Sequence, residues 1–423
     1  MARILFATVP IVGHVYPFLG IARALVQRGH ELCWYTGERF RAEVQRTGAR
    51  HAPYVRARDF DDQHMELSFP ERALHVGFQQ LKYDLKHVFA DQALTQLADI
   101  ESIAHDFRPH LVVADPLMLG SLLFKEKSGT QLVLINVVAS PVRSRDTAPF
   151  GLGILPTKRW YGPFRNRVLD AFVDQVLFRD VQAHWVRVRR QAGLTTSRLL
   201  FEAALDATFL VQPTVAGFEY PRSDLPPHVE LVGALFPELP AGLVTSAPWR
   251  EVSPDVPLVH VTQGTMSNAT PQLIAPTLAG LADLPVLVVV ATGGRTADEL
   301  GLGHLPKNAR VVPYVSYPEL LPRASVMVTN GGYGGVQLAL SYGVPLVVWG
   351  TSEDKPEVAA RVVWSGAGVR LSRLRAPRAC EVRAAVRKVL DEPRYRTRAR
   401  ALAEEYARTD AVPRVVSLIE RLA

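Results

Sequence analysis

The chain has 423 residues, of which 48% are hydrophobic and 21% are charged. This composition is that of a folded globular protein with room for two domains, and it excludes a disordered or low-complexity chain. The net charge is +7, but most of the basic residues are arginines scattered beside acidic residues, with no interleaved aromatic motif, so we expect no binding to nucleic acid.

Short apolar runs alternate with amphipathic stretches along the chain, which is the pattern of parallel α/β sheets. The first half is predicted to contain a helix over residues 16–30 and buried strands at 3–9, 31–36, 110–115 and 130–137. The second half is predicted to contain strands at 256–264, 285–292, 309–315, 325–330 and 344–350. Two short helices are predicted from residue 402 to the end.

A proline-rich stretch without clear periodicity separates the two sets of strands. We therefore predict a first domain at 1–212, a linker at 213–240 and a second domain at 241–405, with a C-terminal helix at about 406–423 that packs back on the first domain. The predicted fold class is α/β, with two doubly wound, Rossmann-like domains that face a cleft. Because ligands bind at the carboxyl ends of the strands in such sheets, the residues just after the strands are the candidates for function.

A glycine-rich turn follows the strand that ends at Thr329, and a helix is predicted to open at about Gly334. The turn contains Gly331, Gly332, Gly334 and Gly335, which is more glycine than a tight turn needs. Main-chain amides in such a turn can approach a phosphate closely, and the helix N-terminus adds a favourable dipole. The pattern is neither a P-loop nor a GxGxxG fingerprint. A phosphate site is favoured over a turn without a ligand.

Other candidate ligand groups follow neighbouring strands of the second half. Thr265 could donate a hydrogen bond to the same diphosphate, and Tyr314 could stack on a base. Glu353, Asp354 and Lys355 follow the last predicted strand, where carboxylates suit sugar hydroxyls. An ordinary loop hydroxyl, a packed aromatic ring and an acidic first helical turn remain open as alternatives.

In the first half, His14 and Asp115 each follow a predicted strand. A histidine in that position could take a proton from a hydroxyl group near neutral pH, and a carboxylate could orient the imidazole and balance its charge. Taken singly, each residue has a simpler interpretation, as a loop histidine bonded to the main chain and as an aspartate that caps a turn. Their joint position favours catalysis.

These features together resemble the large family of glycosyltransferases with two Rossmann-like domains, the GT-B architecture. The family includes plant UDP-sugar-dependent enzymes and bacterial macrolide and other natural-product glycosyltransferases. The segment GHVYPF resembles the family's Gly-His-x-x-Pro opening, and VVADP resembles the strand end that carries its activating aspartate. Residues 311–362 resemble its donor-binding signature. The resemblance covers nearly the whole chain.

The resemblance implies a role for individual residues. His14 would be the catalytic base, with Asp115 as its partner. The donor-binding residues would be Thr265, Tyr314, Val315, Asn330, Gly331, Gly332, Gly334, Gly335, Asp354 and Lys355. Within this set the aromatic ring stacks on the base, the glycine turn holds the diphosphate and Asp354 binds sugar hydroxyls. The chain departs from the family where Asn330 replaces a histidine, Leu338 a ribose-binding glutamate, Lys355 a glutamine and Tyr317 another glutamine.

An acceptor pocket is expected from the less regular regions near 54–95 and 139–185, because aromatic-lined clefts suit apolar small molecules. The candidate acceptor residues are Phe69, Phe78, Tyr83, Phe89, Phe150, Trp160 and Tyr161. Only about half of them are expected to reach the cleft, since the others would fill the core of the first domain.

The resemblance implies an inverting, metal-independent transfer of a sugar, first of all glucose, from a UDP-sugar or else a TDP-sugar to a hydroxyl of a hydrophobic small molecule. The alternatives are a nucleotide-sugar epimerase of the same architecture and a non-catalytic partner of another glycosyltransferase. No metal and no cofactor beyond the nucleotide sugar are expected, because the two cysteines form no metal pattern. No apolar run is long enough to span a membrane, so we expect a cytoplasmic protein without integral membrane association.

Overall fold

The computed structural model describes residues 1–195, 199–236, 247–264, 271–372 and 375–423. The strands are β1 Arg3–Ala7, β2 Glu31–Tyr35, β3 Arg50–Ala52, β4 Leu111–Ala114, β5 Gln131–Ile135, β6 Phe209–Gln212, β7 Val229–Leu231, β8 Leu258–Thr262, β9 Leu287–Ala291, β10 Ala309–Val312, β11 Ala324–Thr329, β12 Leu346–Val348 and β13 Gly368–Arg370.

The α-helices are α1 Val12–Gln27, α2 Arg41–Arg46, α3 Met65–Ser68, α4 Phe78–Tyr83, α5 Ala93–Phe107, α6 Leu119–Ser128, α7 Gly162–Phe172, α8 Arg179–Gln191, α9 Ile274–Leu281, α10 Tyr317–Leu320, α11 Tyr333–Ser341, α12 Lys355–Trp364, α13 Ala379–Asp391, α14 Pro393–Ala407 and α15 Ala411–Glu420. Short 3₁₀ helices span Glu38–Phe40, Pro70–Leu74, Leu200–Asp206, Pro248–Glu251 and Leu321–Arg323. Turns of π-helix span Asp84–Ala90 and Val173–Leu177.

Two parallel sheets form the two domains. The first has the strand order β3-β2-β1-β4-β5-β6-β7 and the second has the order β10-β9-β8-β11-β12-β13. In each sheet the strand order reverses at one point, between β1 and β4 and between β8 and β11, where a doubly wound sheet opens a ligand crevice. Central strands such as β4, β8 and β9 are buried along their whole length, which explains their continuous apolar runs. The predicted fold class is confirmed.

The structure differs from the sequence-based assignment at short strands and at one helix start. Strand β7 lies within the segment interpreted as a linker, where it pairs with β6 at the edge of the first sheet. Strands β3, β6 and β13 were not predicted, because runs of three or four residues carry too little periodicity. Helix α1 begins at Val12 instead of residue 16, so its first turn carries His14.

The end of the chain returns to the first domain. Helix α14 packs against α11 of the second domain, whereas α15 packs against α1. The apolar face of α15 includes Val415, Val416 and Ile419, which are fully buried in the same cluster as the inner face of α1. The helix that carries His14 is therefore supported by the last helix of the chain.

Candidate active site

His14 and Asp115 meet at the point where the strand order of the first sheet reverses. His14 lies in the first turn of α1, after β1, and Asp115 directly follows β4. The Nδ1–H group of His14 donates to Oδ1 of Asp115 over 3.0 Å, and the two residues are 8% and 0% exposed. Because this bond keeps the proton on Nδ1, the other ring nitrogen, Nε2, is left as the basic atom.

The main chain holds the Asp115 carboxylate in place. The Val9 amide donates to Oδ2 over 2.8 Å, and the Leu117 amide donates to Oδ1 over 2.9 Å. A carboxylate with these three partners is fixed in orientation and can in turn fix the imidazole. The arrangement has the geometry of a histidine base with an orienting acid.

The glycine turn occupies the corresponding position in the second sheet, between β11 and α11. Gly331 has a φ of +85°, and a Cβ atom there would lie 2.8 Å from Val348 Cγ1, so the fold itself requires glycine. Gly332, Gly334 and Gly335 are different, because none has a positive φ and a Cβ atom on any of them would meet no heavy atom closer than 4.0 Å. The space beside these three glycines at the N-terminus of α11 is empty, and we expect a ligand to bind there.

Asn330 connects the two loops beside this turn. Its side chain is 5% exposed, and its Nδ2 group donates to the main-chain oxygen of Gln263, which follows β8. The amide thus ties the end of β11 to the end of β8. Thr265, the expected diphosphate contact on the β8 loop, lies outside the described residues.

A cavity of about 520 Å³ lies between the two domains. Its walls come from helix α4 and the loop after β5 on one side and from the loop after β12 on the other. The lining residues are Gly77, Phe78, Leu81, Gly151, Gly350, Thr351, Ser352, Glu353, Pro356 and Ser372.

Known proteins match the whole chain. Residues 275–422 match the family described as "Erythromycin biosynthesis protein CIII-like, C-terminal domain". The chain is 43% identical over 423 residues to 4'-demethylrebeccamycin synthase of Lentzea aerocolonigenes, covering 100% of this chain and 99% of that protein. It is 34% identical over 442 residues to UDP-glycosyltransferase 2 of Phaeomoniella chlamydospora, covering 100% and 96%. The solved structure of the kitacinnamycin glycotransferase has a TM-score of 0.77 at 22% identity, covering 100% and 99%. The chain belongs to the GT-B glycosyltransferases.

The family predicted from the sequence is thus confirmed, and so is the prediction of an enzyme. As a natural-product glycosyltransferase, it transfers a sugar from a nucleotide-sugar donor. Among the described residues, no three His, Cys, Asp or Glu side chains are grouped to hold a metal ion. No helix in the described part of the chain is long and apolar enough to cross a bilayer.

The loop after β12 places its charged side chains differently from the expectation. Glu353, not Asp354, lines the cavity of the glycosyltransferase, and it has a left-handed φ of +56°, which is strained for a non-glycine residue. Asp354 occupies the N-cap position of α12 without a capping hydrogen bond from its side chain, and its Oδ2 atom accepts a hydrogen bond from the Ala139 amide over 3.0 Å. Lys355 is 6% exposed and pairs with Glu353.

The pKa values of the two carboxyl groups shift in opposite directions. Burial raises the pKa of Asp354, and its hydrogen bond from Ala139 opposes this only in part. Burial also raises the pKa of Glu353, but Lys355, Arg72 and His14 outweigh it and hold that pKa below its usual range. The anionic Glu353 therefore shares one electrostatic environment with His14. The sequence placed Glu353 in the same charged cluster but gave no reason to prefer it over its neighbour.

The loop after β5, which we predict to contact the acceptor and call the acceptor loop, is fastened to helix α12 of the second domain. One oxygen of Glu357, Oε1, accepts hydrogen bonds from the amides of Gly151 (3.0 Å) and Gly153 (2.6 Å). Gly153 has a φ of +56°, and a Cβ atom on it would lie 2.7 Å from the main-chain oxygen of Pro356. The loop therefore packs directly on the first turn of the helix. Sequence reasoning missed Glu357, because its partners are main-chain amides that leave no pattern in the sequence.

Arg361, one turn further along α12, is 1% exposed and joins three parts of the chain. Its guanidinium group contacts both carboxylate oxygens of Glu219 at 2.9–3.0 Å, Oε2 of Glu357 at 3.1 Å and the main-chain oxygen of Ser140 at 3.3 Å. Glu219 lies in the segment between the domains and is 3% exposed. The network thus links the acceptor loop, the connecting segment and the donor helix.

The expected acceptor residues fall into three groups. Phe78 lines the cavity and packs against Phe178 at 5.0 Å between ring centroids, and Phe150 directly precedes the cavity residue Gly151. The structure places three others in or at the edge of the first-domain core, with exposures of 5% for Phe69, 8% for Phe89 and 9% for Tyr83. Two lie on the outer surface, with exposures of 91% for Trp160 and 37% for Tyr161. Phe69, Tyr83 and Trp160 therefore do not line this cavity, because an aromatic residue in an irregular segment does not reveal which side it faces.

The remaining donor-side residues lie between the end of β10 and the start of α10. Tyr314 is half-buried and its hydroxyl donates to the Gly293 main-chain oxygen over 3.3 Å, while Val315 is 3% exposed in the domain core. Tyr317 packs edge-on against His260 with 5.6 Å between ring centroids. A ring stacked on a base remains a prediction for Tyr314.

We expect Gly334→Ala to weaken binding of UDP by about tenfold, or roughly 1.4 kcal/mol, because the new methyl group occupies space beside the phosphate. The free energy of unfolding should stay the same or rise, since alanine favours a helix over glycine by roughly 0.5–1 kcal/mol and the site has room for a Cβ atom. Calorimetry with UDP and chemical unfolding of the same preparation measure both quantities. An unchanged affinity of Gly334→Ala for UDP would contradict the assignment of the glycine turn to the donor site.

Proposed function

We propose that the enzyme transfers glucose from UDP-glucose to a hydroxyl group of a hydrophobic small molecule, with inversion at the anomeric carbon and without a metal ion. The observation that carries the proposal is the pairing of His14 with Asp115 at the reversal point of one sheet while the open glycine turn occupies the reversal point of the other.

In the proposed reaction, Nε2 of His14 takes the proton of the acceptor hydroxyl as its oxygen attacks the anomeric carbon. The bond between that carbon and the diphosphate oxygen breaks on the opposite face, so a single displacement inverts the configuration. Asp115 stabilises the imidazolium that forms. Main-chain amides of the glycine turn and the N-terminus of α11 stabilise the charge on the departing diphosphate, the task that a metal ion performs in other enzymes.

The cavity supports an apolar acceptor. Phe78, Leu81 and the neighbouring glycines form its first-domain wall, and polar groups on that wall are main-chain atoms. Apolar walls with a few placed polar groups are typical of sites for small organic molecules. Glu353 and Lys355 on the opposite side are the groups we assign, together with Asp354, to the hydroxyls of the sugar.

A donor panel tests the proposal directly. UDP-glucose, TDP-glucose and UDP-galactose are each incubated with one phenolic acceptor, and the products are analysed by mass spectrometry and by NMR of the anomeric coupling. A β-linked glucoside from UDP-glucose, formed at the same rate with and without EDTA, is the expected result. Isomerised donor without any acceptor product would establish an epimerase instead, and an α-linked product would contradict inversion.

The enzyme should distinguish UDP, which has a ribose 2′-hydroxyl, only weakly from TDP, which lacks it. Leu338 offers no hydrogen bond to ribose hydroxyls, and Gln337 cannot replace the missing carboxylate. Its Nε2 group donates to the Pro213 main-chain oxygen over 2.6 Å, and its Oε1 atom accepts from the Tyr406 hydroxyl over 2.8 Å, so both ends of the amide face the domain interface.

We therefore expect the dissociation constants of UDP and TDP to lie within about tenfold of each other, a difference of roughly 1.4 kcal/mol or less. Leu338→Glu should restore a preference for UDP, because a charged hydrogen bond to the ribose 2′-hydroxyl contributes roughly 1.5–3 kcal/mol. Calorimetric titration of both proteins with both nucleotides measures this. A hundredfold preference of the unchanged enzyme for UDP would show that another residue binds the ribose.

A further inference from the structure

Helix α7 presents its apolar residues to solvent. Every fourth residue of the segment is exposed and apolar, with exposures of 91% for Trp160, 72% for Phe164, 52% for Val168, 44% for Phe172 and 61% for Val176. We call these five residues the apolar stripe. Trp160 lies two residues before α7, Phe164, Val168 and Phe172 lie on neighbouring turns of the helix, and Val176 lies on the π-helical turn that follows it.

The side of this segment that faces the protein combines polar contacts with buried apolar residues such as Val173, which is 1% exposed. Nδ2 of Asn166 donates to the Arg145 main-chain oxygen over 2.8 Å, and Arg165 donates to the Leu155 main-chain oxygen over 3.4 Å. Asp174 forms an ion pair with Arg143. A surface helix normally exposes its polar side and leaves only single apolar residues in solvent, so the row of five exposed apolar side chains marks the outer face of this segment as an interaction surface.

The charges beside the stripe are positive. Lys158, Arg159, Arg167 and Arg179 are exposed and take part in no ion pair among the described residues. The carboxylates of the same segment are neutralised within the chain, since Asp180 pairs with Lys82 (2.6 Å) and Lys86 (3.1 Å) in the same way that Asp174 pairs with Arg143. Burial raises the pKa of Asp170, which lies near Arg143.

We propose that the apolar stripe docks on the surface of an anionic lipid bilayer. Tryptophan, tyrosine and phenylalanine side chains insert at the boundary between headgroups and acyl chains, and flanking lysine and arginine side chains bind anionic headgroups. A second copy of the chain fits less well, because a two-fold contact places the same patch on both subunits and would oppose the unpaired cations of one copy to those of the other.

The docked face adjoins the substrate cavity. Phe178, directly after the π-helical turn, packs against the cavity residue Phe78. Docking through the stripe therefore holds the first-domain wall of the cavity close to the bilayer surface.

Vesicle flotation of the full chain tests the proposal. The variant Trp160→Ser/Phe164→Ser/Phe172→Ser removes apolar groups that are exposed already, so its unfolding temperature should match that of the unchanged enzyme. Val55→Ser/Tyr342→Ser is the matched control, since Val55 and Tyr342 are exposed by 77% and 38% away from the stripe. Lys158→Ala/Arg159→Ala tests the charges.

With vesicles of equal parts phosphatidylglycerol and phosphatidylcholine, we expect the unchanged enzyme and the Val55/Tyr342 control to float. The partition coefficient of the stripe variant should be lower by at least about tenfold, and each lost cation should lower it by about fivefold. Binding should weaken in high salt and with pure phosphatidylcholine. The proposal fails if the unchanged enzyme does not float, if the stripe variant floats equally well, or if the enzyme instead forms a dimer that the stripe variant abolishes.

Discussion

Replacing His14 by alanine is expected to lower the turnover number by roughly 10²–10⁴, the contribution of a well-placed general base. The loss falls on chemistry, because His14 lies in the first domain whereas the glycine turn lies in the second, so the dissociation constant of UDP should not change. Asp115→Asn should also lower turnover strongly. The Val9 amide donates to Oδ2 of Asp115 whereas Leu117 and His14 donate to Oδ1, so the NH₂ group of an asparagine would have to face a donor and the imidazole would lose its charged partner.

A matched control exists on the surface of the same domain. His105 and Asp106 also form an Nδ1–Oδ1 contact of 3.0 Å, but their side chains are 87% and 77% exposed. His105→Ala should leave turnover, acceptor KM and UDP affinity unchanged. Initial rates with saturating donor, together with calorimetry, separate the effects. Near-wild-type turnover of His14→Ala on a hydroxyl acceptor would disprove the assignment of the base.

Arg361→Met is expected to destabilise the protein by up to roughly 3–5 kcal/mol, because the buried carboxylate of Glu219 would keep only Arg222, 3.1 Å from its Oε1 atom, as a cationic partner. Glu219, at 3% exposure, would lose the partner that contacts both of its oxygens. The acceptor loop would also lose the Ser140 contact to α12, so KM for the acceptor should rise in the fraction that remains folded. Urea unfolding measures the change in stability.

The control is Arg387→Met. Arg387 and Asp391 form an i,i+4 pair of the same kind as Arg361 and Glu357, but with side chains that are 59% and 69% exposed. Exposed pairs of this type contribute at most about 0.5 kcal/mol, so unfolding of the control should hardly change. A loss of less than about 1 kcal/mol in Arg361→Met would mean that the network does not hold the domains together.

The effect of Arg361→Met should depend on pH. Burial raises the pKa of Glu219, but Arg361 and Arg222 outweigh it and hold the pKa below its usual range. A carboxylate with a lowered folded-state pKa contributes stability above its unfolded pKa of about 4.3, and this contribution is lost as the pH falls through the folded value. The difference in unfolding free energy between the unchanged enzyme and Arg361→Met should therefore be largest near pH 7 and shrink below about pH 4.

The parts of the fold and site that the sequence predicts are those governed by long apolar runs. Strands β1, β4, β8 and β11 are buried on both faces, so they are visible as continuous hydrophobic segments, and parallel topology brings the residues after them to one edge. His14, Asp115 and the glycine turn could be located for that reason. In the structure, the space where Cβ atoms would lie on three glycines of the turn is empty, which gives a physical reason for glycine there. The sequence alone can only suggest this reason.

The parts that the sequence does not predict depend on side-chain direction and on contacts between main chain and side chain. Asp354 and Glu353 are adjacent and both carry a carboxyl group. Glu353, which has a left-handed backbone, lines the cavity, and Asp354 does not. Glu357 binds amides whose direction is set by the loop conformation. Trp160, in the turn before α7, faces solvent, although apolar residues at this spacing would normally indicate a buried face.

The chain passes between the domains twice, once between β7 of the first sheet and β8 of the second and once between α14 and α15. The two passages touch where a Cβ atom on Gly233 would collide with Thr409. The first domain is therefore formed by two separate stretches of the chain, since α15 belongs to it and supports the helix that carries His14. Recombination that exchanges the second domain between relatives therefore needs two junctions, the second between residues 407 and 411, because a single junction would place a foreign helix against the helix that carries His14.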